Sequence, residues 1–444
     1  MRDLWAVLAR RRDYRLVLGA GLVSLTGDWL LRTGLAFHVY VLTGSTLSSG
    51  GLLLASFVPT VVLGSFAGVF ADRWDRRRTM IVLNLLNAAV LLPLFAVRDG
   101  RTIGIAYAVV LAQSCLQQFF TPAEQALIPA LIEPRHLMTA NALNSQIRDV
   151  ARLVGAALGG VLTAAGGLSL LATADAATFV VATVLLQRVR HRSERTASRT
   201  RAAARTVQPG AAVRRLAAEW RDGLRLCATG GAMRLLFAFG LVTQVGEGLM
   251  STLFAPFVST ELGGSARVYG LIVSSQAVGG IVGGLVAAAL GSRLRAATMW
   301  GVGSVLFGLV DLTLFCSPLV SDSLVPAFVC MILVGVPGAF TVAGSMTVLQ
   351  HLTHDASRGR VLGALGAVEG AAVLLGITTA GLLGDRLGTI PLLALQALGY
   401  LAGGLVVLTH HPLLTAPPPS VPAPETPPAR TGAGTAGGVT GVAG

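Results

Sequence analysis

No lysine occurs anywhere in the chain, and charged residues make up only 12% of it, against about a quarter in soluble domains. The many closely spaced glycines are therefore not phosphate-binding loops, because none carries the Gly-Lys-Ser/Thr ending such loops use. Cysteine is scarce too: Cys115, Cys227, Cys316 and Cys330 share no metal-ligand spacing. Three of them fall in apolar runs, where a thiol behaves as a small hydrophobe, so neither a disulfide nor a metal is expected. The seven histidines, His38, His136, His191, His351, His354, His410 and His411, lie mostly in links. No Gly-x-Ser-x-Gly elbow or His-Glu-x-x-His pair accompanies them, so the chain is not expected to be an enzyme or to hold a cofactor.

What the chain has in abundance is apolar surface: 53% of its residues are hydrophobic and its mean hydropathy is +0.70. Such a composition belongs in a bilayer, where each spanning helix needs roughly 20 apolar residues to pair its backbone groups within itself. Apolar runs and their punctuation predict twelve helices, near 16–41, 47–71, 79–97, 102–121, 142–165, 168–187, 234–259, 267–290, 297–316, 323–349, 361–384 and 389–409. The expected architecture is an all-α polytopic membrane protein. Its expected domains are a six-helix bundle over 1–187, a basic linker over 188–233, a second six-helix bundle over 234–410 and a Pro-, Ala- and Gly-rich disordered tail over 411–444.

The net charge of +13 is carried entirely by arginine. It gathers at Arg2 to Arg15, Arg73 to Arg78, Arg188 to Arg234, Arg293 with Arg295, and Arg358 with Arg360, with exceptions at Arg98, Arg101, Arg267 and Arg386. That asymmetry is the positive-inside pattern, and it predicts a multi-pass protein of the cell membrane with both termini in the cytoplasm. No cleavable signal is expected, since the first apolar run is too long for one. The 188–233 segment lacks the interleaved aromatics that stack bases, which argues against a nucleic-acid partner. Its second part sets Leu216, Trp220 and Leu224 opposite Arg214, Arg215, Arg221 and Arg225, a pattern suited to lying on anionic membrane lipids.

An internal repeat links the two halves. An offset of 219 residues places Gly27-Asp28 on Gly246-Glu247 and Gly64 on Gly283, and an offset of 221 places Gly155 on Gly376 and Gly160 on Gly381. Parallel halves of this kind surround a midplane solute site in one known transporter architecture. Gly64 and Gly68, Gly155 and Gly159, Gly280 and Gly284, and Gly366 and Gly370 each lie four apart, a spacing that lets helices approach closely, here expected between the halves.

Ionisable residues inside apolar helices are costly and therefore informative. Asp28 sits mid-helix with Arg32 one turn later, and Glu247 takes the equivalent place in the second half. A cavity-facing carboxylate whose arginine contact comes and goes can load and release a proton; the plainer reading is a permanent Asp28–Arg32 ion pair. Gln113, Gln117 and Gln244 either bind solute or serve as interhelical glue. Arg148, Asp149 and Arg152 are expected to form a structural cluster facing either Asp72 or the inner mouth, with a direct solute role as the lesser alternative, while Asp175, Asp311 and Glu369 cannot be oriented from the sequence. His38 reads as a satisfied helix histidine.

Three stretches carry a family resemblance: Asp72-Arg73-Trp74-Asp75-Arg76-Arg77-Arg78; Phe119-Phe120-Thr121-Pro122-Ala123 with Thr139-Ala140-Asn141-Ala142-Leu143-Asn144-Ser145 and Ala151-Arg152-Leu153-Val154-Gly155; and Arg358-Gly359-Arg360-Val361-Leu362-Gly363. The chain resembles the major facilitator superfamily, in the branch of the enterobactin exporter and the macrolide efflux proteins. Asp75 replaces the loop glycine of the wider superfamily, Gly291-Ser292-Arg293-Leu294-Arg295 lacks the loop aspartate, and Gly155-Ala156-Ala157-Leu158-Gly159-Gly160 lacks the antiporter proline. The resemblance implies two pseudosymmetric bundles, monomeric action, and a gating loop of Gly64, Gly68, Asp72, Arg73, Arg76 and Arg77. It further implies export of a small amphipathic drug, siderophore or secondary metabolite by alternating access with proton antiport. The same fold also admits an uptake symporter or a lipid flippase.

Overall fold

The computed structural model describes residues 11–71, 75–133, 136–190, 230–290, 293–353, 355–410 and 414. The 191–229 part of the linker, nearly all of the tail, and Asp72 and Arg73 of the gating loop lie outside the described residues. Every regular element among the described residues is helical. In chain order they are α1 (Arg12–Thr43), α2 (Thr46–Ala71), α3 (Arg76–Val90), α4 (Ile103–Leu131), α5 (Leu137–Gln187), α6 (Gly231–Thr260), α7 (Ala266–Leu290), α8 (Ala296–Cys316), α9 (Val325–Leu333), α10 (Gly335–Leu352), α11 (Asp355–Leu387) and α12 (Thr389–Thr409). Nine helical stretches among the described residues are long and apolar enough to cross a membrane.

Local chemistry sets most of the boundaries. Gly44 closes α1 at φ 64°, its N–H returning to the Tyr40 carbonyl at 2.7 Å, a conformation that costs glycine nothing. Asp75 opens α3 by accepting a hydrogen bond from the Arg78 backbone N–H at 2.9 Å, which gives the aspartate a capping role where the wider superfamily has glycine. The 51-residue α5 is two rods, divided at Gly167 where φ is 60° and ψ is −152°. That combination is reached almost only by glycine, and it falls where the sequence predicts the break.

Helix α4 departs from expectation. The proline at 122 marks its end in the sequence, yet it continues to Leu131 through both Pro122 and Pro129. Ala123, Leu127, Ile128 and Leu131 are buried on the continued stretch, and leaving the helix in an apolar medium would unpair several backbone groups where proline unpairs one.

The core comprises four apolar clusters. Two use residues between Tyr14 and Val189, around Leu127 and Leu171. The other two lie between Leu236 and Leu414, around Phe257 and Trp300, and Phe37 is the one residue of the first half buried in them, against Tyr269 with ring centroids 5.6 Å apart. In the first half α1 packs along α5 and α2 along α4; in the second α6 packs along α11 and α8 along α12. Two seams join the halves, α5 with α7 and α2 with α11.

Glycines make the closest approaches, and they do so in equivalent places. A side chain at Gly155 would strike the Thr26 carbonyl oxygen of α1, and one at Gly376 would strike the Val245 carbonyl oxygen of α6, partners related by the same offsets of 221 and 219. At the seams Gly160 lies on the Ala266 carbonyl and Gly270, while Gly381 lies on Leu47 and beside Gly50. The four-apart spacing therefore needs correction: Gly155 and Gly159 join helices of one half rather than the two halves. A Cβ on Gly280, Gly284, Gly366 or Gly370 meets no neighbour within 4 Å, and Gly279 and Gly283, one residue round the helix, make the packing contacts against Ile332, Gly335 and Val336. One residue is a 100° turn of the helix, enough to move a glycine from a contact face to an open one. Gly64 and Gly68 lie within α2, but their surroundings are outside the described residues.

Gly155→Val is expected to cost at least about 1–3 kcal/mol through overpacking, whereas Gly280→Ala is neutral or stabilising by about 1 kcal/mol because only helix propensity changes. Thermal denaturation of the purified protein in detergent checks both, the first midpoint falling and the second holding or rising.

Candidate functional site

The first half carries two neighbouring carboxylates. Asp28 is half-buried on α1, and Asp175, on the second rod of α5, has no exposure to solvent at all. Gly27 brings them together, since any side chain there would strike Asp175 Oδ1 and Thr178 Oγ1. Thr178 donates to Asp175 Oδ1 at 3.2 Å; Oδ2 is buried without a partner, and the Gln113 amide of α4 lies alongside without closing a hydrogen bond. Arg32 is exposed and close enough for its field to reach Asp28, but the two close no ion pair, which corrects the permanent-pair reading. Elsewhere Arg11 and Glu133 do close one, at the surface.

The second half repeats the arrangement with one exchange. Glu247 on α6 accepts a hydrogen bond from the Tyr400 hydroxyl of α12 at 2.8 Å. Tyr400 is held by Phe307, 4.4 Å between ring centroids, and by Phe239 at 6.3 Å. Gly246 lies against Gln396 as Gly27 lies against Asp175, and the 221 offset maps Asp175 onto Gln396. Gln396 donates to Asp311 Oδ2 of α8 at 2.9 Å, and both are buried. Glu369 of α11 faces Gly240 of α6, where a Cβ would come 3.2 Å from its Oε1. The three acids that the sequence left unoriented all face neighbouring helices, and the repeat was the available signal for Asp175.

Arg152 crosses between the halves. From α5 it donates to Gln276 Oε1 of α7, lies 5.6 Å over the Trp29 ring of α1, and feels the fields of Asp149 and Glu247. Its Nε is buried without a partner. Ser274 of α7 adds a bond of 2.6 Å to the Leu153 carbonyl. The other seam is closed by Asp385 at the end of α11, which accepts from the Thr46 N–H at 3.0 Å and the Ser45 hydroxyl at 3.2 Å, so that one half caps the first turn of α2 in the other. Thr46 Oγ1 also donates to the Gly381 carbonyl at 3.3 Å.

Other expected residues fall differently. Arg148 does not join Arg152; it lines a cavity of about 340 Å³ with Glu124, while Asp149 lies within the field of Arg152. Arg76 donates to the Ala126 carbonyl at 2.8 Å, and Arg77 to the carbonyls of Leu186 at 2.9 Å and Gln187 at 2.5 Å, so Arg76 ties α3 to α4 and Arg77 ties it to the end of α5, both within their own half. Gln117 reaches Thr121 at 3.5 Å, and Gln244 is half-buried one turn before Glu247. Glu124 was missed because the sequence ends the helix before Pro122. Among the described residues no three His, Cys, Asp or Glu side chains converge as a metal site.

Long apolar helices, interior carboxylates that pair with no cation among the described residues, and glycine seams between related halves define a multi-span membrane transporter. Residues 4–417 match the family model described as transmembrane secretion effector, and the chain belongs to that family of the major facilitator superfamily. It is 25% identical over 372 residues to macrolide efflux protein A of Streptococcus pyogenes, covering 82% of this chain and 88% of that protein. A match to the uncharacterized MFS-type transporter YfiS of Bacillus subtilis (strain 168) is 28% identical over 171 residues, 38% of this chain and 40% of the relative. In fold it is similar to the inward-facing structure of a bacterial homologue of the iron transporter ferroportin, with a TM-score of 0.65, 16% identity, and coverage of 90% of this chain and 98% of the other.

Asp385→Ala removes the cap from α2 and is expected to cost about 0.5–2 kcal/mol, read as a lower denaturation midpoint; Asp385→Asn, which keeps an acceptor oxygen, retains most of the stability.

Proposed function

We propose that this protein exports small amphipathic molecules, such as drugs, siderophores or secondary metabolites, across the cell membrane by proton antiport and alternating access. Twelve spans form two six-helix bundles, residues 1–187 and 234–410, joined by the 188–233 linker, with both termini in the cytoplasm and each monomer carrying its own pathway. The observation that carries this reading is the placement of Asp28 and Glu247: they occupy equivalent positions in the two halves, and neither closes an ion pair with any described residue.

A carboxylate in apolar surroundings without a paired cation is poorly stabilised as an anion, so it takes either a proton or a charge borne by the solute. Glu247 has a route from proton to conformation. While ionised, it draws on Arg152, the side chain bridging Trp29 in one half and Gln276 in the other. Protonation of Glu247 releases that attraction and changes the balance of contacts at the seam, which is how a proton biases two arrangements of packed bundles. Asp28, beside Asp175 and Gln113, provides the corresponding acid of the first half. At the basic end, Arg76 and Arg77 are occupied by carbonyls of their own half, which leaves Asp72 and Arg73 as the part of the loop suited to a latch against the other half. The export direction and amphipathic solute class are supported by the likeness to a macrolide efflux protein.

The test is transport of a radiolabelled macrolide in proteoliposomes under an imposed proton gradient. Wild-type protein accumulates the solute against its gradient, and Asp28→Asn and Glu247→Gln each reduce that accumulation about tenfold, within the range of a coupling energy of about 1–3 kcal/mol. Equal transport with and without the gradient, together with full activity in both variants, would refute proton coupling.

A further inference from the structure

We propose that the cavity between α1, α4 and α5 in the first half is a binding site for small amphipathic zwitterions, with Glu124 receiving the ligand's ammonium group and Arg148 its carboxylate. The proposal rests on the transport reading and adds a solute class and a place of entry to it. The cavity encloses about 340 Å³, within the range of about 300–1,000 Å³ typical of small-molecule sites. It lies at the end of the bundle that carries the basic loop: Arg76 bonds the carbonyl of Ala126, two residues along α4 from Glu124.

Its lining has a distinct chemical arrangement. Glu124 on α4 is half-buried and Arg148 on α5 is exposed into the opening, and each lies in the field of the other. They close no ion pair with each other, and among the described residues neither side chain forms a hydrogen bond. A carboxylate and a guanidinium on adjoining helices that served only each other would be expected to meet, because a two-pronged contact gains both charge and hydrogen bonding. Here they remain apart across a cavity, complementary to a molecule bearing both charges at a separation. Gly21 on α1 keeps the acid free, since a Cβ there would come 3.3 Å from Glu124 Oε1 and press on the carboxylate. Leu18, Leu25 and Ile128 supply an apolar wall and Asn144 an amide, so the body of the ligand is expected to be apolar with a hydrogen-bonding group.

Norfloxacin, a fluorescent zwitterion, is a suitable probe, together with its methyl ester, which carries only the cation, and N-acetylnorfloxacin, which carries only the anion. Binding is read by fluorescence anisotropy at neutral pH with the full-length protein in lipid nanodiscs and no proton gradient. Wild-type protein is expected to bind norfloxacin about tenfold more tightly than either derivative. Glu124→Gln should remove the preference over the N-acetyl form, and Arg148→Gln the preference over the ester. Leu18→Trp, which fills the cavity without touching either charge, should weaken all three probes. Equal affinity of the wild-type protein for the three forms would overturn the proposal, as would charge variants that lower all three affinities alike. If the probes discriminate as expected but gradient-driven macrolide transport fails, the binding site stands and proton coupling falls. If gradient-driven transport is intact and the probes do not discriminate, this site alone is wrong.

Discussion

Backbone-to-backbone contact through glycine is the constraint on which the arrangement depends. Helices surrounded by lipid gain little by burying apolar side chains against each other, because hydrocarbon already solvates them; close approach and dispersion must hold them together. Gly155 on Thr26 and Gly376 on Val245 fix the first helix of each half against the fifth, and the same offsets relate these pairs. Gly160 against Gly270 and Gly381 against Gly50 then bring the halves together along two narrow strips. Strips of small residues present few interlocking side chains, so one half can change its angle to the other without a large packing loss. The close approaches within each half and the acids are also linked in sequence: Gly27 and Gly246, which admit the close approach of α5 and α12, each directly precede a carboxylate.

The two halves share geometry but not charge. Where the first half has Asp175 against its glycine, the second has Gln396, an amide able to donate to Asp311. Exchanging an acid for an amide gives Asp311 a donor that Asp28 lacks. Arg152 stands between the two arrangements, over an indole of one half and bonded to an amide of the other. The scaffold is thus even while the distribution of charge around it is not.

Much of the helical layout was legible because spanning helices must pair their own backbone groups, which writes their length into the apolar runs, and because a turn such as Gly166-Gly167 has few other uses. The equivalence of Asp28 and Glu247 was legible through the repeat. Partners on other helices were not. Whether Arg32 meets Asp28 depends on which face of α1 is covered, and that is decided by α5, more than a hundred residues away. Gly280 and Gly279 are indistinguishable by composition, yet they differ by a 100° rotation that decides which one touches α9 and α10. Glu124 was hidden by Pro122, whose helix-breaking tendency is overridden where the surrounding medium offers the backbone no water.

The cap that Asp385 places on α2 has a consequence for energetics. The exposed amides at a helix start are usually satisfied by a residue just before it in the chain, so that the helix keeps its end wherever it travels. Here the satisfying group belongs to the opposite bundle, so parting the halves at that end strips α2 of its terminator and lets its first turn fray. Separation there thus costs the hydrogen bonds of that cap in addition to the packing of the seam. Contact at that end therefore carries a stabilisation that belongs to neither half alone, and α2 holds its full hydrogen bonding only while the opposite bundle is in place.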